Sequence, residues 1–386
     1  MKLQNKQIAI VGGGPGGLTL ARLLQLNDLN VNVYERDFDK NARVQGSPLD
    51  LHEESGLAAL RKADLITAFE QNFMPGADKK IITDKNAKIC FSDHDDKKEY
   101  NFGSKYFRPE IDRGPLRNIL LDSLKPETVV WDSHFISMEK QNDGWLLHFK
   151  NGSSHYADIV IAADGANSKI RPYITDIKSV YSGITMIEGT VGKSKISIPN
   201  INAMVKGGKI MAFGSSKCIL GGQKSDGDFG FYLSIKTDES WTNSNGIDYN
   251  DKKHFFDWFK KEYSDWGSKW DELIENVTTP FVPRPIYYMP LDQQWETMPN
   301  LTMLGDAAHV MPPFAGEGVN MAMLDALELS ECLISDKFGS LYEAISHYET
   351  NMQKRAAIAA EESVVNGELM HSENALDKMM EMFSQH

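Results

Sequence analysis

The segment Gln7–Arg36, with the sequence QIAIVGGGPGGLTLARLLQLNDLNVNVYER, decides the fold of this chain. It begins with a short, wholly apolar run, Ile8–Val11, which is typical of a strand buried on both faces. Glycines then follow in the spacing G-x-G-x-x-G, an apolar helical face comes next, and a second strand pattern ends at Glu35. This order of strand, glycine turn, helix, strand and acid predicts a dinucleotide-binding βαβ unit.

Each part of this unit has a mechanical reason. Gly12 permits the tight turn after the strand, Gly14 lets a pyrophosphate approach the backbone, and Gly17 lets the helix pack closely on the strand. The free amides and the positive end of the helix favour phosphate. Glu35 lies near the expected spacing of about 20 residues and can accept hydrogen bonds from ribose hydroxyls. A glycine turn without a ligand is the alternative, and the agreement of all these features disfavours it.

Composition excludes several classes of protein. The chain has 386 residues, enough for about two or three domains, and its 41% apolar and 25% charged residues are typical of a soluble globular protein. A net charge of −13 argues against binding to nucleic acid or to anionic membranes. The three cysteines are widely spaced without a C-x-x-C motif, so we expect no metal site, no disulfide framework and a cytoplasmic location. No run approaches the ~20 apolar residues of a membrane-spanning helix.

Two later segments place acidic residues where buried strands end. One strand pattern ends in Asp164-Gly165 and another in Gly305-Asp306, and ligands of doubly wound sheets bind at such strand ends. Downstream, Gly316 and Gly318 would let a ligand touch the start of an apolar helix, whose positive end favours an anion. His309, which lies between these motifs, is interpreted as a packed histidine rather than a catalytic one.

The remaining patterns predict a second layer of structure. Helical spacing predicts one helix over Leu57–Phe69 and a long C-terminal helix over 340–375, with a frayed end from Met379 to His386. Glycine-punctuated β patterns over 180–290 predict a second, antiparallel sheet. Pro283, Pro285 and Pro290 are interpreted as a break, after which the chain returns to the first domain.

Taken in order, these motifs resemble the class A, para-hydroxybenzoate hydroxylase-like FAD-dependent monooxygenases, and the likeness covers nearly the whole chain. The segments VYERD, LDLH, PEIDR and MLGDAAHVMPPFAGEGVN resemble the tetracycline-inactivating branch in particular. The resemblance implies an α/β fold with an FAD-binding Rossmann-type (glutathione reductase-like) domain, an inserted antiparallel-sheet substrate domain and a long C-terminal helix. The implied boundaries are 1–75, 105–178 and 296–335 for the FAD-binding domain, 76–104 and 179–295 for the substrate-binding domain, and 336–386 for the helix that bridges the two.

The resemblance also implies roles for individual residues. The glycine motif would hold the FAD pyrophosphate, Glu35 the adenosine ribose and Asp306 the ribityl chain, while the helix after Gly318 would stabilise anionic reduced flavin. Asp50 falls at a position linked to NADPH, and Asp164-Gly165 serves both cofactors in the wider family. The expected cofactor-binding residues are Gly12, Gly14, Pro15, Gly16, Gly17, Glu35, Arg36, Arg43, Asp50, Leu57, Arg113, Asp164, Asp306, Pro313, Gly316, Gly318, Val319 and Asn320.

The expected substrate-binding residues depart in part from the tetracycline branch. They are Glu188, Lys209, Leu220, Phe314, Asn366 and Met370. Glu188 stands where that branch has glutamine, Lys209 replaces its arginine, Leu220 a phenylalanine and Gly230 a histidine. Because an Arg-to-Lys change loses bidentate geometry, the resemblance leaves acceptance of tetracyclines open. Glu317 replaces the usual glutamine near the flavin, and its charge would oppose anionic flavin unless the side chain points outward.

The function implied is NAD(P)H-dependent hydroxylation of an electron-rich aromatic or enol-containing small molecule through a flavin C4a-hydroperoxide. Tetracycline-type antibiotics are among the substrates suggested, which would make the protein a resistance enzyme. The cofactors would be FAD and NADPH or NADH, the partners O2 and a small molecule, and the protein a monomer without nucleic acid, membrane or metal. No catalytic acid or base is required. The alternatives are a non-catalytic or redox-sensing FAD-binding protein and a different FAD oxidoreductase of the same fold.

Overall fold

The computed structural model describes residues 3–42, 47–95, 101–278 and 280–384. Arg43, one of the expected cofactor contacts, lies outside these described residues. The strands are β1 Ile8–Val11, β2 Val31–Tyr34, β3 Leu49–Asp50, β4 Lys80–Asp84, β5 Ile89–Ser92, β6 Glu110–Ile111, β7 Val129–Val130, β8 Phe135–Gln141, β9 Gly144–Phe149, β10 Ser154–Ala157, β11 Ile159–Ala162, β12 Val180–Val191, β13 Lys209–Gly214, β14 Lys217–Gln223, β15 Phe229–Lys236, β16 Val282–Tyr288 and β17 Leu301–Met303.

Helices connect and cover these strands. They are α1 Pro15–Gln25, α2 Gly56–Lys62, α3 Ile66–Glu70, α4 Arg113–Asp122, α5 Ser194–Ser197, α6 Pro199–Val205, α7 Trp241–Ser244, α8 Lys252–Glu262, α9 Asp271–Glu275, α10 Asp306–His309, α11 Gly318–Ile334, α12 Leu341–Met370 and α13 Ala375–Ser384. Short 3-10 turns occupy Arg171–Tyr173, Ser268–Trp270 and Pro313–Ala315. Among the helices of the described ranges, none has the length and apolar character needed to cross a membrane.

A five-stranded parallel sheet, in the order β17-β11-β1-β2-β7, forms the first layer. Its central strand β1 is buried along its whole length, as the apolar run predicts. Helix α1 packs between this sheet and α11. The first turn requires glycine at position 12, because φ is +113° and an added Cβ would lie 2.1 Å from the Ala163 carbonyl oxygen. The predicted βαβ unit is therefore confirmed as local structure.

A seven-stranded sheet, in the order β16-β12-β15-β14-β13-β4-β5, forms the second layer. Its neighbours pair antiparallel, as predicted, except for the parallel pair β13–β4. One face of the sheet carries Phe229, Phe231 and Leu233, which pack with residues of α8 and α9 in a hydrophobic core. Alternate residues point to opposite faces of a strand, so the other face carries the neighbours of these residues. We call this second side the inner face.

Two predictions about local structure before the C-terminal segment are wrong. The single helix over Leu57–Phe69 is two helices, because Asp64 adopts φ +60° and the Leu65 amide bonds back to the Leu60 carbonyl at 2.8 Å. This left-handed turn ends α2 and redirects the chain. Pro283 and Pro285 lie within β16 rather than in a break. Since β16 is an edge strand paired only with β12, their missing N–H groups leave the ladder intact.

The C-terminal segment is also divided differently from the prediction. The long helix α12 ends at Met370, and a second helix, α13, follows at Ala375. Residues 379–384 are helical rather than frayed. The reason is packing: Met379 is buried with Ile82 and Phe213, and the ring of Phe383 stacks near Phe91 with centroids 6.1 Å apart. This tertiary cover is not visible in the local pattern.

Candidate functional site

The carboxyl edge of the parallel sheet brings the three sequence motifs together. Neighbouring strands β1, β11 and β17 end there, and each is followed by one of the motifs. Hydrogen bonds extend the ladder beyond the strands: the Ala163 amide donates to Val11 O at 2.8 Å, and the Leu304 amide to Ala162 O at 2.9 Å. The glycine turn, Asp164 and the Gly305-Asp306 turn are therefore adjacent.

The N-terminus of α1 is open towards this edge. Gly14 is the N-cap residue, and it has no side chain that could cap the helix. The first amide to bond within the helix is that of Leu18, which donates to Gly14 O at 3.0 Å. Among the residues that the structure describes, a Cβ added at Gly14 would meet no atom within 4 Å. Free amides beside open space are the features that a pyrophosphate requires.

Glu35 lies where the sequence predicts it, at the end of β2 and against the glycine turn. The carboxylate is buried, with 3% relative exposure. It accepts hydrogen bonds from the Gly13 amide at 2.5 Å and from the Asp37 amide at 3.0 Å. An ionised carboxylate has about four acceptor sites, so capacity for ribose hydroxyls remains. Arg36, the next residue, is exposed.

Asp164 has an unused acceptor. Its Oδ2 accepts the Lys169 amide at 2.7 Å, whereas its buried Oδ1 has no hydrogen-bond partner within the part of the chain that the structure describes. Burial raises the pKa of this carboxyl group. A buried unsatisfied oxygen is costly unless a bound group satisfies it. Asp306 is exposed at the same edge, and the positive charge of Arg113 acts on it.

The start of α11 forms a second open helix end. The Met321 amide is the first to bond within this helix, to Glu317 O at 2.8 Å. The amides of Gly318, Val319 and Asn320 precede it, and a Cβ at Gly318 would meet no atom of the described part of the chain within 4 Å. The Glu317 side chain does not cap the helix. Its carboxylate turns instead to His52, with Oε1 3.2 Å from Nδ1.

Two predicted cofactor contacts have their side chains engaged inside the protein. Asn320 donates to Asp50 O at 2.9 Å and Gly316 O at 3.1 Å, and it accepts from the His52 amide at 2.8 Å. Only its backbone amide is left to meet a ligand. Leu57 is fully buried in the core beneath the first sheet. Pro313, by contrast, is exposed in the 3-10 turn before α11.

The inner face of the second sheet carries three of the predicted substrate residues, Glu188, Lys209 and Leu220. It also carries Tyr232, which sequence reasoning missed. Tyr232 pairs across the strands with both Glu188 and Leu220, and its hydroxyl accepts a hydrogen bond from Ser47 Oγ at 3.1 Å. Burial, followed by the charge of Glu188, raises the pKa of Tyr232. The alternation of β15 indicates the position of Tyr232, because residues two apart in a strand share a face and Gly230 was expected on this one.

The charged side chains of the inner face have partners within the protein. Glu188 accepts a hydrogen bond from Arg284 Nε at 2.5 Å, and Lys209 forms an ion pair with the buried Glu110. Burial raises the pKa of Glu110 to about 7, the nearby Asp50 adds to this, and Lys209 opposes both. The structure therefore places two internal ion pairs where the sequence predicts substrate contacts.

The other predicted substrate residues form an apolar end beside these pairs. Leu220, Phe314 and Met370 belong to one hydrophobic cluster. Asn366 donates a hydrogen bond to Phe314 O at 3.3 Å. The Phe314 ring packs against Gly367, where an added Cβ would lie 2.7 Å from Cδ2. The turn before α11 is thereby held between the inner face and α12.

Two buried hydrogen-bond networks fix the Gly305-Asp306 turn and the residues that follow it. In the first, Asp325 accepts hydrogen bonds from the Gly305 amide at 2.8 Å, His309 Nε2 at 2.5 Å and Arg355 Nη2 at 2.7 Å. His309 is thus a packed histidine, as predicted. In the second, Arg171 donates to the carbonyls of Ala307 at 3.1 Å and Ala308 at 2.9 Å.

Replacing Arg171 by methionine should destabilise the protein. Arg171 is 6% exposed and also donates a hydrogen bond to Gln293 Oε1 at 2.7 Å. Its replacement removes the hydrogen bonds that it donates to three buried oxygen atoms, Ala307 O, Ala308 O and Gln293 Oε1. We expect the free energy of unfolding to fall by about 3 kcal/mol. Urea denaturation measures this change, and the exposed Arg36→Met is the control, with an expected effect within ~0.5 kcal/mol. Equal stability of both variants would contradict the assigned role.

Comparison with known proteins agrees with this site. Residues 295–362 match the FAD_binding_3 family, described as an FAD binding domain. Over 97% of both chains, the sequence is 26% identical to monooxygenase penA of Penicillium thymicola. HpxO of Klebsiella pneumoniae, solved with FAD and uric acid, has the same fold with a TM-score of 0.76, 20% identity and coverage of 100% of this chain and 93% of its own. Tetracycline destructase Tet(55) has a TM-score of 0.76 at 17% identity, covering 99% and 96%.

These findings define the class of protein. The chain is similar over nearly its whole length to FAD-dependent monooxygenases, and these likenesses support the activity of an FAD-dependent monooxygenase. Its fold is that of FAD-binding monooxygenases, as predicted, and the findings are consistent with the predicted class A, para-hydroxybenzoate hydroxylase-like enzymes. The residues present fit FAD, because two uncapped helix ends, an unsatisfied Asp164 oxygen and the open position at Gly14 lie along one sheet edge.

Proposed function

We propose that this monooxygenase consumes NAD(P)H and O2 to hydroxylate an electron-rich aromatic or enol-containing small molecule. The observation that carries the proposal is the position of the open sheet edge. The inner face is polar at Tyr232 and apolar at Leu220, and the turn before α11 packs its Phe314 ring in the same hydrophobic cluster as Leu220. A substrate ring bound between the sheet edge and the inner face would be oriented by the polar Tyr232 on one side and by the apolar Leu220 and Phe314 on the other. The structure of HpxO, which shares this fold and was solved with uric acid, supports a small ring compound as the substrate.

Bound FAD would supply the activation of O2 and the transfer of one oxygen atom. We assign the pyrophosphate to the amides after Gly14, the ribose to Glu35 and the ribityl chain to Asp306. The amides of Gly318 and Val319 would stabilise negative charge on the flavin ring. The inner face would orient the substrate and exclude water, and no side chain is required to move a proton.

The division of the chain follows from these roles. We propose that residues 1–75, 105–178 and 296–335 bind FAD and that 76–104 and 179–295 bind the substrate, with 336–386 bridging the two. NADPH, directed by Asp50, is the proposed electron donor. The protein would act as a cytoplasmic monomer without nucleic-acid, membrane or metal partners.

Tetracyclines are the first substrate class to test, because the likeness to Tet(55) agrees with the motif MLGDAAHVMPPFAGEGVN. Against them stand the internal pairs of Glu188 and Lys209, which occupy the positions of a glutamine and an arginine in that branch. Smaller phenols and enols demand fewer polar contacts, and we expect these to be hydroxylated faster than tetracyclines.

A substrate panel tests the proposal. The FAD-loaded protein is given NADPH or NADH with tetracyclines, phenols and hydroxylated heterocycles, and NAD(P)H, O2 and product mass are followed. We expect at least one compound to gain one oxygen atom with matched consumption of NAD(P)H and O2. Oxidation of NAD(P)H that yields only hydrogen peroxide with every compound would contradict it and favour a redox-sensing flavoprotein.

A further inference from the structure

His52 lies between two carboxylates. Its Nε2 is 3.2 Å from Asp50 Oδ2, and its Nδ1 is 3.2 Å from Glu317 Oε1. A neutral imidazole has a single N–H, so it can donate to only one of them. The doubly protonated imidazolium donates to both. The geometry therefore favours a positive charge on His52, and the side chain is only 13% exposed, so water screens this charge weakly.

The bridge is fixed at the start of α11. The buried side chain of Asn320 binds the His52 amide, Asp50 O and Gly316 O. Asp50 also lies close to Gly316, where an added Cβ would come within 3.0 Å of its Oδ1. Glu317 directly precedes the first residue of the helix. All three charged side chains are thus held beside the amides that the helix leaves open.

The surrounding charges determine the protonation of His52. Burial lowers the pKa of His52, but the hydrogen bonds to Asp50 and Glu317 outweigh it, so that the pKa is raised. Arg108, which precedes β6, opposes this rise. Burial raises the pKa of Asp50, but His52 and then Lys209 of β13 lower it to about 2. Asp50 is therefore charged near neutral pH.

We propose that His52 is a charge-compensating residue, whose imidazolium cancels the carboxylate of Glu317 and keeps the start of α11 favourable for anionic reduced flavin. The proposal rests on the proposed function, in which the flavin ring lies at this helix end. With His52 charged, Asp50, His52 and Glu317 together carry about one negative charge. Without it they carry two, and reduced flavin becomes less stable relative to oxidised flavin.

The midpoint potential of bound flavin tests this role at several pH values. We expect His52→Gln to weaken the binding of reduced relative to oxidised flavin about tenfold, which lowers the potential by about 30 mV for a two-electron couple. Glu317→Gln, which restores the residue usual in the family, should raise the potential. The double variant again carries about one negative charge on Asp50, and its potential should return to within about 10 mV of the wild type.

The pH profile separates compensation from a merely structural role. In the wild type, loss of the imidazolium charge should lower the midpoint potential as pH rises through the pKa of His52, on top of the ordinary pH dependence of the flavin. This extra decrease should be absent in His52→Gln. The proposal is overturned if His52→Gln and Glu317→Gln both keep the wild-type potential and its pH dependence. Failure of the wild type to bind FAD would instead overturn the proposed function, so the two failures are distinguishable.

Discussion

Replacing Gly14 by valine should abolish FAD retention while the protein still folds. Gly14 has an extended backbone, with φ −78° and ψ 176°, which valine readily adopts. Its Cβ would meet no atom of the described residues within 4 Å, so we expect the fold to accommodate the side chain. The added isopropyl group would occupy the position where the pyrophosphate must approach the amides of α1. Steric exclusion therefore acts on the ligand alone.

We expect the dissociation constant for FAD to rise at least ~100-fold in Gly14→Val, which corresponds to about 3 kcal/mol. Gly14→Ala should give an intermediate loss. Flavin fluorescence on titration of the apoprotein measures the affinity, and thermal unfolding of the apoprotein checks the fold. Gly12→Ala is the contrasting variant, because its Cβ would clash with Ala163 and should impair folding itself. A valine variant that binds FAD within threefold of wild type would contradict the assignment of Gly14.

Replacing Asp325 by asparagine should cause the largest loss of stability away from the first sheet. The carboxylate is fully buried and faces His309 and Arg355. Removing its charge leaves the buried His309 without a charged partner and the partly buried Arg355 with Glu328 as its ion-pair partner, and breaking a buried pair costs about 3–5 kcal/mol. Urea unfolding measures the change. Glu328→Gln is the control, since this more exposed partner of Arg355 should contribute no more than ~1 kcal/mol.

The pH dependence of stability gives a second readout for Asp325. Burial lowers the pKa of His309, but the charge of Asp325 outweighs it and the pKa is raised. Its contribution is therefore complete below the unfolded pKa of about 6.5 and is lost as pH rises through the folded pKa. For Asp325, burial is outweighed by His309 and the pKa is lowered, so its contribution is present above about pH 4 and is lost in acid. In Asp325→Asn, we expect stability to depend less on pH both in acid and above the pKa of His309. An unchanged dependence of stability on pH would contradict the assigned interaction of Asp325 with His309.

The elements that could be predicted are those defined by local sequence. The glycine turn needs Gly12 because the neighbouring backbone leaves no space for a side chain, and such a requirement is visible in the sequence itself. The same holds for Asp164 and Asp306, since both follow buried apolar strands. Glu188 and Leu220, which were expected from the resemblance, lie on one face of the second sheet because both pair with Tyr232.

The features that escaped prediction depend on contacts distant in sequence. The bridge of His52 to Glu317 joins a loop after β3 to a helix more than half the chain away. The ion pair of Lys209 likewise requires Glu110 from another sheet. Tyr232 escaped prediction because the resemblance points to Gly230, which lies two residues earlier on the same face of β15. Local sequence patterns do not predict such pairs, because the two residues of each pair meet only in the folded chain.

A crystal structure of the chain grown with FAD would test the central claim most directly. The account predicts one FAD, with its pyrophosphate at the amides after Gly14, its ribityl chain at Asp306 and its ring beside Gly318, turned towards the inner face at Tyr232. Density for a nucleotide at any other edge of the sheet, or a ring directed away from the inner face, would contradict it.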